Sequence, residues 1–182
     1  MITLDLSARK LTSVYDQPTR TYGVQLMGLR DHHLFVSLPG TSPPLHELAE
    51  MFRAATLPRA QWTHLAHLRV GAWHVHHFGA TQALVRLRHG IRALNVANGV
   101  ANTPTGGYHE TITAAYVTLI AAWLGQAAEP AASLALRVER MLAGPMAERT
   151  LLLRFWSQET LMSPAARAAW VPPDRAPLAL PL

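Results

Sequence analysis

Residues 62–78 read Trp62-Thr63-His64-Leu65-Ala66-His67-Leu68-Arg69-Val70-Gly71-Ala72-Trp73-His74-Val75-His76-His77-Phe78. Apolar residues recur here at helical rather than alternating spacing, which predicts an amphipathic helix. Pro58 suits its first turn, and Gly79 ends it. The same period resumes from residue 80 to 97, with Leu84, Leu87, Ile91 and Leu94 as the apolar seam and Asn98-Gly99 as the stop. Leu45, Leu48, Ala49, Phe52 and Ala55 predict an earlier helix, opened by Pro44 and running to about residue 56. A polar loop covers 100–107. A fourth helix starts near Tyr108 or His109 and ends at Gly125. Residues 130–142 and 146–156 read as two more helices. Ser163-Pro164 caps a last short one reaching about residue 170. The expected fold is an all-α antiparallel bundle of five to seven helices over residues 44–170.

The flanks read differently. Residues 1–43 are rich in proline and glycine. Two extended-looking stretches, 22–27 and 33–38, surround a turn-like segment at 28–32, which suggests a β-hairpin or an irregular arm. Residues 171–182 hold four prolines and read as an extended tail.

Composition narrows the chemistry. The 182 residues include no cysteine, ten histidines and 49% hydrophobic side chains. Disulfides, zinc ribbons, iron–sulfur clusters and a cysteine nucleophile are therefore excluded, and any metal must take nitrogen and oxygen ligands. No apolar run reaches the ~18 residues of a membrane span, and no leader pattern opens the chain, so a cytoplasmic protein is expected. The net charge is +5, and fifteen of the sixteen basic residues are arginine. The nearest approach to a basic patch is Arg86, Arg88, His89 and Arg92, which reads as the solvated face of a helix. Nucleic acid is not an expected partner, whereas a small-molecule substrate is, and the reading leaves room for a homodimer. The chain contains no nucleotide-binding glycine loop and no G-x-S-x-G nucleophile elbow.

Seven of the ten histidines fall between residues 64 and 109. On a helix, His64 and His67 lie ~60° apart and one turn apart, so they can converge on one ion. Gly71 and His74 continue the same stripe, and His74 is a reserve ligand. Gly106-Gly107-Tyr108-His109-Glu110-Thr111 then places a histidine and a glutamate at the start of the fourth helix. If the two helices are neighbours, His64, His67 and His109 supply three nitrogens and leave one open position, the pattern of catalytic metal centres. Glu110 is then a fourth ligand or a general base; the alternative is a residue that stabilises the helix dipole. Glu47 and Glu50, beside His46, are further carboxylates within reach of such a site.

These motifs resemble those of a group of small helical bacterial proteins to which no activity is attached. The shared features are Trp62-Thr63-His64, His67-Leu68, the Gly107-Tyr108-His109-Glu110-Thr111 helix entrance, and residues 157–174 with Ser163-Pro164, Arg167, Trp170 and Pro173-Asp174. The resemblance spans about residues 45–178 and implies no catalytic role. It directs attention to Arg167 and Asp174, as a lid over the site or as a C-terminal clasp.

The expectation is a metal-dependent enzyme acting on a small molecule. It holds one transition-metal ion (Zn, Fe, Cu or Ni) at His64, His67 and His109, with Glu110 as the catalytic carboxylate. Zinc implies hydrolysis; iron or copper implies oxygen chemistry. The alternatives are a non-catalytic helical module for an anionic partner, and a binder of haem or another small ligand.

Overall fold

A computed structural model describes residues 43–126 and 133–180, together with the backbone of five short strands before residue 43. The chain divides into two units, Met1–Pro43 and Pro44–Leu182. In the first, β1 (Ile2–Asp5) pairs antiparallel with β2 (Lys10–Ser13), and β2 with β3 (Tyr22–Gly23). β4 (Gln25–Leu26) pairs antiparallel with β5 (Val36–Ser37). The turn expected at 28–32 lies outside the described residues.

The second unit is an all-α bundle. Its helices are α1 (Leu45–Arg53), α2 (His64–Ala97), α3 (Glu110–Gly125), α4 (Leu134–Leu142), α5 (Gln158–Leu161) and α6 (Pro164–Ala168). α2 is the central element: α1, α3 and α4 all pack on it. It begins at His64, capped by Thr63, not in the Pro58 region. The Thr63 hydroxyl accepts the Ala66 N–H at 3.3 Å, while Trp62 before it is non-helical. Pro58 is instead followed by one 3-10 turn, Arg59–Gln61.

Two glycines shape α2. Gly79 interrupts it with φ 70° and ψ 164°, a backbone region essentially reserved for glycine. The break falls where the apolar period pauses, and it turns one long segment into two packing faces. Gly90 has another task. A Cβ there would sit 2.4 Å from the Phe52 ring, so its missing side chain lets α1 lie against α2.

The loop after α2 is bound by asparagines. Asn98 caps α2 and donates its amide to the Leu57 and Leu94 carbonyls. Asn102 Oδ1 accepts from Asn95 Nδ2 at 2.8 Å and from the Tyr108 N–H at 3.0 Å, and its Nδ2 donates to the Arg92 carbonyl. Gly107 follows with φ 76°; a Cβ there would meet the Ala101 carbonyl at 2.5 Å.

The helix expected over 146–156 is two 3-10 turns, Pro145–Ala147 and Leu151–Arg154, separated by an extended Glu148. Met146, Leu151 and Trp156 are nevertheless buried. A short apolar stretch can fill a core without a 3.6-residue period. α6 stops at Ala168 rather than at 170, because the Ala169 carbonyl turns to accept the Thr111 hydroxyl at 2.8 Å.

Residues 171–180 carry no helix or strand, and they bind the bundle. Trp156 Nε1 donates to the Val171 carbonyl, and the Arg175 N–H donates to the Phe155 carbonyl. Asp174 accepts three hydrogen bonds at 2.6 Å, from the Ser157 N–H, the Ser157 hydroxyl and the Thr160 hydroxyl. Those bonds hold its carboxyl down at about 2. Asp174 is therefore a clasp on the start of α5. The tryptophan at this junction that is fully buried is Trp156, with Trp170 packed edge-on against it and 45% exposed.

Candidate functional site

The first turn of α3 is a structural hub. His109 is its N-cap. The ring Nδ1 accepts the Ile112 N–H at 3.4 Å, and Nε2 donates to the Leu161 carbonyl at 2.8 Å. Both nitrogens are thus spent inside the protein, and the ring is neutral in the Nε2–H form. Burial, countered by the bond to Leu161, lowers its pKa below the usual histidine value.

Glu110 is equally committed. Arg88 grips it with two bonds, Nε to Oε2 at 2.8 Å and Nη2 to Oε1 at 2.5 Å, and the Tyr108 hydroxyl donates to Oε2 at 3.0 Å. The Arg88 bonds hold the carboxyl below its ordinary range although it is only 7% exposed. Arg92 lies over the Tyr108 ring at 4.7 Å and completes the cluster. Arg86 stacks on Phe78, so Arg86, Arg88 and Arg92 all make contacts within the protein. Thr111 is fully buried. It donates to Ala169 and accepts the Val171 N–H, tying α3 to the C-terminal segment.

His64 and His67 sit elsewhere, on the wall of a recess of about 290 Å³ between α2 and α3. Leu68, Gly71 and Leu87 line it from α2, and Ile112, Val117 and Ile120 from α3, with Trp62 at one side. The polar groups are the two histidines, Thr113 and Tyr116. Gly71 keeps the wall thin: a Cβ there would lie 3.0 Å from Ile120 Cδ1. His64 meets the Tyr116 ring edge-on at 5.6 Å. Burial pushes the Tyr116 hydroxyl up to about 12.

His67 is stacked on Trp62 with ring centroids 3.7 Å apart. Its Nδ1 donates to the Thr63 carbonyl at 2.7 Å, which leaves Nε2 as the lone-pair nitrogen. By accessible surface the residue is exposed, with its ring on the recess wall. The crowding of neighbouring groups around the ring lowers its pKa to about 4; the Thr63 bond opposes the shift and the nearby His64 adds to it. Burial, with Arg149 second, also lowers His64, and a bond to the Ala147 backbone opposes the shift.

The arrangement differs from the expected three-histidine centre. His64 and His67 share a wall, but His109 has no free nitrogen and Glu110 is locked in an ion pair. Among the described residues no group of three His, Cys, Asp or Glu is placed to hold a metal ion. The reserve, His74, is 2% exposed, and its Nδ1 donates to the Val70 carbonyl. His74 and the sequence neighbours of His46, Glu47 and Glu50, take no part in this recess.

A second recess of about 520 Å³ adjoins the first, and Trp62, His67, Ile91, Ile112 and Thr113 wall both. Arg59, Asn95, Asn98 and Arg167 contribute to its rim and walls. Arg167 Nη1 donates to the Gly107 and Tyr108 carbonyls at 3.1 Å. Sequence reasoning noted Arg167 but not Arg59, which precedes α2 in a segment with no periodic signal.

No family model, curated protein or solved structure matches the chain. No described helix is long and apolar enough to cross a membrane.

Proposed function

We propose that the protein binds a small, largely apolar molecule in the recess between α2 and α3. Of the readings open from sequence, this is the small-ligand binder. One observation carries it. Apolar side chains of α2 and α3 leave a recess of about 290 Å³ between them, and only a few polar groups, His64, His67, Thr113 and Tyr116 among them, interrupt its walls. The volume is near the lower end of the ~300–1,000 Å³ of small-molecule sites, and the mix of apolar walls with a few polar groups is typical of them.

The state of His67 favours binding over acid–base catalysis. A general base works best with a pKa near the working pH. A ring held at about 4 is neutral at pH 7 and a weak base. It serves as a hydrogen-bond acceptor for the ligand.

The test is calorimetric titration with 1-octanol. Saturable binding of one equivalent is expected, and Ile91→Trp, which fills the junction of the recesses, abolishes it. Binding that is not saturable, or that survives this substitution in a folded protein, overturns the reading.

A metal-dependent reading keeps one specific support. His67 presents a lone pair at Nε2 because Nδ1 donates to a backbone carbonyl, the usual orientation of a ligating histidine. In that reading His64 and His67 hold the ion and the substrate completes its coordination. Metal retained by tag-free protein and lost in His67→Ala supports it; absence of Zn, Fe, Cu and Ni binding removes it.

A further inference from the structure

The inner recess has apolar walls and uncharged polar groups, and the outer recess is of another character. Its walls include two guanidinium groups, Arg59 and Arg167, and no carboxylate. Glu110, the nearest acid in sequence, is neutralised by Arg88. Arg59 is exposed at this rim, and its guanidinium makes no ion pair or hydrogen bond with a described residue. Arg167 uses Nη1 for two backbone carbonyls, while its Nη2 makes no hydrogen bond with a described residue. Forked guanidinium donors with unused N–H groups match planar oxyanions such as carboxylates. The two recesses adjoin and share five wall residues, His67 among them.

We infer that the ligand is an anionic amphiphile, a carboxylate or comparable monoanion on a short hydrocarbon body. The body fills the inner recess, and the head lies in the outer one beside Arg59 and Arg167. This rests on the proposed binding of a small apolar molecule and adds the chemical class of its polar end. His67 then lies where the body meets the head, as an uncharged acceptor that neither repels the chain nor neutralises the anion.

The test compares octanoate with 1-octanol by calorimetry on the full chain at neutral pH, where octanoate is ionised. Octanoate is expected to bind about tenfold more tightly than octanol, the scale of one charge-assisted contact at a partly solvated site. Arg59→Gln shrinks that preference about fivefold and Arg59→Glu removes it, and octanol affinity is unchanged in both. Added salt weakens octanoate alone. Arg59 is exposed, so neither substitution threatens the fold. Equal affinities for the two probes overturn the anionic head and leave the apolar recess standing. A preference for octanoate that both Arg59 variants retain overturns the placement of the head. Failure of both probes to bind overturns this inference together with the reading beneath it.

Discussion

At the scale of residues, His67 and His109 separate two uses of one side chain. His109 donates with one nitrogen and accepts with the other, as a helix cap must when its ring is turned into the protein. His67 uses one nitrogen and keeps the other. Sequence spacing made them equivalent, because it registers which residues share a stripe and not which carbonyl each ring meets. The Leu161 carbonyl that takes His109 is 52 residues away, beyond the reach of any local pattern. Glu110 follows the same logic. Glu110→Gln leaves the Arg88 guanidinium, a third exposed, without its anion. It should cost about 2–3 kcal/mol of stability in urea unfolding, below the range for a fully buried pair. Pairing it with Arg88→Met should recover part of that loss. Acid should also weaken the fold. The folded-state pKa values of His64, His67, His74, His76 and His109 are all lowered. The unfolded chain therefore binds more protons between pH 6.5 and about 4, and stability falls as pH drops through that window. Thermal melts from pH 7 to 4 check this, and His67→Gln should flatten the slope.

At the scale of elements, the strongest periodic signals were the most legible. α2 divides at Gly79 as the pause in its apolar seam implies, and α3 ends at the glycine that closes its pattern. The segment at 146–156 was not legible. Its hydrophobic residues satisfy a helix and two 3-10 turns equally, and tertiary packing decided between them. The contact between α1 and α2 depends on an absent side chain. Gly90→Ala places a methyl within 2.5 Å of two Phe52 ring carbons, so the buried Phe52 ring must shift to admit it. A loss of about 1–3 kcal/mol is expected from overpacking, read as a lower denaturation midpoint. A variant as stable as the parent would mean that α1 sits further from α2 than described.

At the scale of the whole molecule, the Gly107-Tyr108-His109-Glu110-Thr111 sequence joins the bundle to its C-terminal segment. Arg167 holds the Gly107 and Tyr108 carbonyls, Leu161 holds His109, and Ala169 and Val171 hold Thr111. A motif that reads from sequence as catalytic chemistry is occupied with architecture, and the free polar groups lie one layer away along α2. Asp174 ties the same C-terminal segment to Ser157 and Thr160. Asp174→Ala should lower the melting temperature and leave octanol affinity unchanged, because the clasp lies outside both recesses. The most direct measurement of the central claim is an NMR titration of the isotope-labelled protein with 1-octanol. Intermolecular NOEs from the alkyl chain to Ile112, Tyr116 and Ile120, with a shift of the Trp62 indole N–H, are the result predicted. NOEs confined to other surfaces, or saturating binding that leaves the Trp62 indole unmoved, would contradict it.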